Sequence, residues 1–234
     1  MIDFKDLPQD KIYFQDEDVV IYCADNRDIL PLIPDKSIDL VLTDPPYEIK
    51  GMGGGGFGGH QFYQNATGIC DMIEFNDYNP ELSRVADELV VFHSRLQIHK
   101  WAEYCWKYFG NYDLHFWYKP NAIPFTHNTW KSDVEYIALG WREKNHAKVS
   151  QEQKSKVFIH PIEQENLHPA QKPLSLMEKY ILILNPEIIL DPYLGGGTTL
   201  RAAKNLGRKA IGIEISEKYC EIARNRLRQS VMKL

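Results

Sequence analysis

The sequence predicts an α/β fold in which a doubly wound, mostly parallel seven-stranded sheet carries helices on both faces. Short β-branched or apolar runs bounded by turn formers alternate along the chain with longer stretches of helical periodicity. Such alternation is typical of parallel sheets, because each parallel connection needs a crossover segment. The predicted strands are Val19–Cys23, Ile38–Thr43, Glu88–Phe92, Tyr112–Tyr118, Val134–Leu139, Ile188–Asp191 and Lys209–Glu214. The predicted helices are Leu96–Phe109, Leu174–Leu184, Thr198–Leu206 and Glu217–Val231.

The length of 234 residues, 44% of them hydrophobic, predicts one globular domain rather than two. No run approaches the roughly 20 apolar residues of a membrane span, and the first residues lack the apolar core of a secretory signal. We therefore expect a cytoplasmic protein that makes no membrane contact. The four cysteines (Cys23, Cys70, Cys105 and Cys220) lie far apart without a CxxC pair, so we predict neither a zinc site nor a disulfide framework.

The net charge of −5 argues against a protein that coats nucleic acid through bulk charge. A local exception lies between Trp141 and His160, where five basic residues outnumber two acidic ones and leave an excess of +3. This stretch suits contacts with phosphates, although an ordinary solvated loop is the plainer interpretation.

A ligand site is indicated between Ile188 and Thr199, which reads as a buried strand, a glycine turn and the start of a helix. Glycines let the backbone approach a ligand, and a helix N-terminus offers unpaired N–H groups. The next strand ends at Glu214, 17 residues after Gly197, where a carboxylate can bind both ribose hydroxyls. The pattern favours a nucleoside cofactor, and a turn that only connects strand to helix is the alternative.

The residues around the glycines narrow the choice of cofactor further. Leu200 occupies the position of the third glycine of a dinucleotide fold, and no lysine follows Gly197 as it would in a P-loop. Asp191 would repel a pyrophosphate, but it suits a cofactor that carries an α-amino group and a sulfonium cation. S-adenosylmethionine has both, and we predict it as the cofactor.

A second motif, Asp44-Pro45-Pro46-Tyr47, follows the strand Ile38–Thr43 at the edge where α/β sheets bind ligands. An exocyclic amino nitrogen of a base is a poor nucleophile, because its lone pair is delocalised into the ring. Hydrogen bonds accepted by the Asp44 carboxylate and the Pro45 carbonyl would free that lone pair. The prolines restrict the loop, and Tyr47 offers a ring on which an extruded base can stack. A rigid surface turn is the alternative reading.

Together these residues resemble the amino-methyltransferase family that modifies adenine N6 or cytosine N4 in DNA. Asp44 to Tyr47 match its catalytic signature, and Asp191 to Thr199 resemble its cofactor signature. The catalytic motif comes first, which is the permuted order of the β class. That class typically has His-Pro-Thr-Gln-Lys-Pro before the cofactor strand, and this chain has His168 to Pro173 with Ala170 in place of threonine.

The resemblance implies a Rossmann-like methyltransferase sheet and assigns roles to further residues. It puts Asp25 at the adenine edge of the cofactor and Lys172 near the methionine end. The predicted catalytic residues are Asp44, Pro45, Pro46 and Tyr47. The predicted cofactor-binding residues are Asp25, Asn26, Asp44, Lys172, Asp191, Pro192, Tyr193, Gly195, Gly197, Thr198, Thr199 and Glu214.

The predicted domain, residues 1–234, divides into a catalytic region 19–140, a small target-recognition insert at about 141–167 and a cofactor region 168–234. The insert is short for reading DNA, which leaves help from the loop Asn121–Trp130, a second subunit or loose specificity as explanations. The Gly51–Gly59 run is predicted as a flexible lid, with a linker as the equal alternative.

The resemblance implies methylation of N6 on an adenine flipped out of double-stranded DNA, because aspartate in the first catalytic position is commoner among adenine enzymes. Methylation of cytosine N4 and a noncatalytic DNA- or cofactor-binding subunit remain alternatives. A homodimer and a cognate restriction endonuclease stay open as partners.

Overall fold

A computed structural model of the chain describes residues 8–46, 80–122, 130–142, 149–150, 154–162 and 172–228. The strands of these ranges are β1 (Ile12–Gln15), β2 (Val19–Cys23), β3 (Ile38–Thr43), β4 (Ala86–His93), β5 (Tyr112–Tyr118), β6 (Val134–Trp141), β7 (Val157–Ile159), β8 (Ile188–Asp191) and β9 (Lys209–Glu214). The α-helices are α1 (Asn26–Ile29), α2 (Glu81–Val85), α3 (Ile98–Tyr108), α4 (Leu174–Leu184), α5 (Thr198–Asn205) and α6 (Glu217–Arg228). None of these helices is long and apolar enough to cross a membrane.

The described strands form one sheet in the order β1-β2-β9-β8-β3-β4-β6-β5-β7. Five neighbouring strands, from β2 to β4 in that order, run parallel. Strand β6 pairs antiparallel with β4 and β5, β1 pairs antiparallel with β2, and β7 runs parallel to β5. The predicted doubly wound, mostly parallel sheet is confirmed.

The number of strands differs from the prediction, with nine in the described ranges rather than seven. The two extra strands, β1 and β7, have four and three residues and lie at the sheet edges. Strand β7 falls inside the polar stretch predicted as an insert, and it buries Phe158 while Val157 and Ile159 are exposed. Strands this short carry too few alternating residues for their pattern to stand out from loop sequence.

Apolar side chains of the central strands alternate between two buried clusters, one on each face of the sheet. Helices α1, α2 and α3 contribute to the cluster that contains Val41 and Trp101. Helices α4, α5 and α6 contribute to the cluster that contains Leu42 and Tyr180. The predicted helices on both faces are therefore confirmed.

The strand order reverses between β3 and β8. The chain continues from β3 to β4 in one direction along the sheet and from β8 to β9 in the other. Open α/β sheets bind ligands at the carboxyl ends of the strands that flank such a reversal. Here those ends carry Asp44, which follows β3, and Asp191, the last residue of β8.

Candidate active site

Three neutral donors hold the carboxylate of Asp191 at the end of β8. The hydroxyl of Thr43, the last residue of β3, donates to Asp191 Oδ1 at 2.8 Å, and the backbone N–H of Tyr193 donates to the same oxygen at 3.1 Å. The side chain of Thr199 in α5 also hydrogen-bonds the carboxylate. The ends of β3 and β8 are thus joined through one buried acid.

Asp191 lacks a positive partner among the residues that the structure describes. No lysine or arginine in these ranges forms an ion pair with it. Its side chain is buried, and burial raises the pKa of the carboxyl from 3.8 to about 6; the three hydrogen bonds oppose this rise, while the nearby charge of Asp44 adds to it. A buried carboxylate with only neutral partners favours a ligand that brings a cation.

The glycine turn after β8 uses two residues with positive φ for different reasons. Gly195 has φ +52°, and nothing lies within 4 Å of the point where a Cβ would stand. Gly197 has φ +82°, and a Cβ there would stand 2.8 Å from the Cβ of Ala223 in α6. Gly195 therefore leaves open space beside the turn, whereas Gly197 allows α5 and α6 to approach closely.

Glu214, at the end of β9, binds the same turn. Its Oε2 accepts a hydrogen bond from Gly195 N at 2.8 Å, and its Oε1 accepts one from Ser216 N at 2.9 Å. Burial raises the pKa of this carboxyl, which the backbone hydrogen bonds partly offset. Each oxygen has a second lone pair, so the contacts with the turn are compatible with the predicted contacts to ribose hydroxyls.

Asp25 and Asn26 lie where β2 ends, beside β9. The Asp25 carboxylate caps α1 by accepting from Arg27 N at 2.9 Å and pairs with the Arg27 guanidinium at 2.6 Å. Its hydrogen bonds with Arg27 lower the pKa of this carboxyl. Asn26 donates to Pro192 O at 3.1 Å, which connects α1 to the glycine turn. Among the predicted cofactor residues, Asp25, Asp191 and Glu214 therefore gather at the ends of β2, β8 and β9, which are neighbours in the sheet, whereas Asp44 follows β3 and Lys172 precedes α4.

The catalytic motif begins at the end of β3 with Asp44, whose side chain is 23% exposed. Pro45 is buried and Pro46 is exposed. Tyr47 lies outside the described residues, as do the Gly51–Gly59 run, most of the Asn121–Trp130 loop and the residues His168 to Gln171.

Asp44 is the first of four charges that alternate in sign. Lys172 Nζ lies 2.7 Å from Asp44 Oδ2 and 3.1 Å from Glu135 Oε2, and Lys119 Nζ lies 3.1 Å from Glu135 Oε1. Both lysines are buried, and Lys172 also lies over the ring of Phe92. We call Asp44, Lys172, Glu135 and Lys119 the charge chain.

The ion pairs of the charge chain favour the ionised forms of Lys172 and Glu135. Burial alone would lower the pKa of Lys172, but Asp44 and Glu135 outweigh it and hold the pKa well above its ordinary value. Burial would likewise raise the pKa of Glu135, but Lys172 and Lys119 together shift it downward. The ion pairs therefore persist across the neutral pH range.

Sequence reasoning missed four residues of this site: Glu135, Lys119, Thr43 and Arg226. Glu135 and Lys119 had a signal, since each is a charge in or directly after an apolar strand, where an unpaired charge would be costly. Arg226 donates to Thr198 Oγ1 at 2.8 Å and to Gly196 O at 3.4 Å. Its place on the exposed side of a helical pattern gave no such signal.

The arrangement offers two acids with different properties at neighbouring strand ends. Asp191 is buried and has no cationic partner within the described part of the chain, whereas Asp44 is partly exposed and held by an ammonium. In the described ranges, no group of three or more His, Cys, Asp or Glu side chains is placed to hold a metal ion. The carboxyl ends of β3 and β8 thus suit a cationic ligand beside a second ligand that donates hydrogen bonds.

Solved structures share this fold. The M1.HpyAVI–SAM complex superposes with a TM-score of 0.68 at 27% identity, over 89% of this chain and 100% of that one. The cytosine-N4-specific PvuII DNA methyltransferase superposes with a TM-score of 0.72 over 97% of this chain and 91% of that one. Its identity of 17% supports likeness of fold alone.

Sequence comparison agrees with the fold. The chain is 31% identical to the Type II methyltransferase M2.LlaDCHI of Lactococcus lactis subsp. cremoris, over 93% of this chain and 92% of the relative. It is 29% identical to the Type II methyltransferase M2.DpnII of Streptococcus pneumoniae over the same shares. Residues 38–225 match the DNA methylase family of N6 and N4 methyltransferases. With both motifs at the sheet reversal and most of its length matched, the chain belongs to this DNA methylase family.

Proposed function

We propose that the protein transfers the methyl group of S-adenosylmethionine to N6 of an adenine flipped out of double-stranded DNA. In this proposal Asp44, Pro45, Pro46 and Tyr47 bind the base, and the residues around Asp191 bind the cofactor. The observation that carries it is the hydrogen bond between Thr43 and Asp191, which joins the end of the catalytic strand to the end of the cofactor strand at 2.8 Å.

The cofactor is S-adenosylmethionine, which supplies a methyl group on a sulfonium that leaves as a neutral thioether. The residues present fit it. Asp191 is a buried acid without a cation among the described residues, and it suits the α-amino group or the sulfonium. Gly195 leaves open space beside the turn, and Glu214 has lone pairs left for ribose hydroxyls. The remaining members of the proposed binding set are Asp25, Asn26, Asp44, Lys172, Pro192, Tyr193, Gly197, Thr198 and Thr199.

Asp44 acts on the amino group, in addition to its place in the proposed cofactor-binding set. Its carboxylate and the carbonyl of Pro45 would accept hydrogen bonds from the amino hydrogens and make the nitrogen lone pair available. No strong base is needed for the attack itself, because the sulfonium already makes the methyl group reactive. Lys172 lies 2.7 Å from Asp44, which supports a fixed orientation for the carboxylate.

Adenine is favoured over cytosine by the aspartate at position 44, since the resemblance on which the motif rests has aspartate more often in adenine enzymes. The insert at about 141–167 is proposed to contribute to target recognition. We further propose a cytoplasmic protein that acts on DNA either as a single subunit or as a homodimer, with a cognate nuclease as a separate partner.

Nucleoside analysis tests the proposal. Purified protein is incubated with unmethylated DNA and radiolabelled S-adenosylmethionine, and the digested DNA is separated by chromatography. Label in N6-methyladenine is the expected result. Label in N4-methylcytosine would retain the mechanism and correct the base, and no label despite cofactor binding would refute the enzymatic role.

A further inference from the structure

Two charged residues, the buried Lys119 and the half-buried Glu135, have no part in the reaction as proposed so far. We propose that Glu135 is a positioning residue for Asp44: it fixes Lys172, the ammonium that holds the catalytic carboxylate, while Lys119 fixes Glu135 in turn. This inference rests on the proposed function, because it assigns a role within the same site.

Strands β5 and β6 fix the far end of the charge chain. Glu135 on β6 lies in register with Trp117 on β5, and the backbone N–H of Lys119 donates to Asp133 O at 2.7 Å. The Lys119 ammonium also lies 5.3 Å from the centre of the Trp117 ring. Backbone pairing and packing therefore hold Lys119 and Glu135 in place independently of the contact between Glu135 and Lys172.

Lys172 connects Glu135, which is fixed in this way, to Asp44 of the catalytic motif. Its ammonium contacts one carboxylate on β6 and another at the end of β3, and the ring of Phe92 on β4 faces it as well. A buried ammonium is costly unless charged partners surround it. Two carboxylates fix its position better than one, because they restrict it from two directions. Without Glu135, Lys172 would lose one of the two carboxylates that its ammonium is described as contacting.

Two explanations of Glu135 make different predictions. The four charges of the chain sum to zero, so Glu135 could serve only to neutralise Lys119. In that case, removing Glu135 and Lys119 together would restore normal activity. If Glu135 positions Lys172, the double substitution restores folding but leaves methyl transfer slow.

The test compares Glu135→Gln, Glu135→Asp and the double variant Glu135→Gln with Lys119→Met. We expect Glu135→Gln to lower kcat roughly ten- to a hundredfold, with the KM for DNA and the Kd for S-adenosylmethionine near their wild-type values. Glu135→Asp should recover part of kcat, because the charge is kept. The matched control is Asp113→Asn, which removes a carboxylate from a lysine pair on β5 without touching the charge chain.

The pH profile gives a readout that loss of packing would not change. The charged residues described around Lys172 are Asp44 and Glu135, with Lys119 beyond Glu135. Removing the Glu135 charge lowers the pKa of Lys172 from its raised wild-type value, so Glu135→Gln should lose kcat at an alkaline pH at which the wild type still keeps it. Full recovery of kcat in the double variant, or an unchanged alkaline limb, would overturn the inference.

A second measurement separates this inference from the proposed function. Titration of ¹⁵N-labelled lysine side chains by NMR reports the Lys172 ammonium without any need for catalysis. Wild-type protein that transfers no label to DNA would refute the proposed function, and a lowered Lys172 pKa in Glu135→Gln would still support the link from Glu135 to Lys172. An unchanged Lys172 pKa in that variant would overturn the positioning role in either case.

Discussion

Replacing Asp191 with asparagine should make the protein more stable and a poorer binder of its cofactor. In the fold, burial raises the pKa of this carboxyl from 3.8 to about 6. At 1.36 kcal/mol per unit, a shift of roughly two units corresponds to about 3 kcal/mol. Asparagine keeps a carbonyl oxygen for Thr43 and for the backbone of Tyr193 but carries no charge, so we expect the free energy of unfolding to rise by up to about 3 kcal/mol above pH 6.

The dependence on pH follows from the same shift. Because the folded state holds the Asp191 proton more tightly than the unfolded state, the contribution of Asp191 to wild-type stability falls as pH rises from about 4 to about 6. Urea unfolding of both proteins across this range isolates the effect, since other groups titrate alike in each. The difference in unfolding free energy should grow through the window and then level off. A destabilised Asp191→Asn variant at about pH 8 would refute the reasoning.

Cofactor binding should change in the opposite direction. A charge-assisted contact contributes about 1.5–3 kcal/mol, so the Kd for S-adenosylmethionine should rise roughly ten- to a hundredfold in Asp191→Asn. In the wild type, affinity should fall as pH drops below about 6, because the protonated carboxyl attracts a cation less. Calorimetric titration measures both effects. Unchanged affinity in the variant would contradict the assignment of Asp191 to the cofactor.

Two further predictions concern the glycine turn and the charge chain. Gly197→Ala should cost more than about 2 kcal/mol of stability, because φ is +82° and the new Cβ would lie 2.8 Å from the Ala223 Cβ. Gly195→Ala meets no such contact, so it should cost only about 1 kcal/mol of stability and mainly weaken cofactor binding. Thermal unfolding and calorimetry separate the two, and a reversed pattern would contradict the roles given to these glycines. Lys172→Met should lower stability by roughly 3 kcal/mol, the low end for breaking a buried ion pair, because it leaves the partly exposed carboxylates of Asp44 and Glu135 without the ammonium they share. The control is Lys156→Met in the more exposed ion pair with Asp113, and this substitution should cost under about 1 kcal/mol of stability. Equal losses of stability in the two variants would argue against a stabilising role for the charge chain.

The central sheet was predictable from sequence because its strands are buried on both faces. Strands such as Ile38–Thr43 and Ile188–Asp191 are short apolar runs, and the structure has both with the predicted bounds. Strands β1 and β7 were missed because each is a short edge segment with little burial: no residue of β1 is buried, and β7 buries only Phe158. Edge strands are stabilised mainly by backbone pairing with a neighbour, which leaves little trace in the order of residues.

The site was predictable where function depends on the backbone and a motif, and not where it depends on distant pairing. Asp44 and Asp191 were identified because each directly follows or ends a strand before a turn. Glu135 was not identified as a site residue, because its proposed role depends on an ion pair with Lys172, which is distant in sequence and close only in the folded protein. Pairing across the sheet is a property of tertiary structure, so no local pattern could reveal it.

The measurement that tests the account most directly is single-turnover methyl transfer by Asp44→Asn with saturating S-adenosylmethionine. Asparagine keeps the shape of the side chain but is a weaker acceptor for the amino hydrogens. The account predicts that the rate falls roughly a hundred- to ten-thousandfold while calorimetry gives a cofactor Kd close to that of the wild type. A variant that transfers methyl groups at the normal rate, or one that loses activity only because it no longer binds the cofactor, would contradict it.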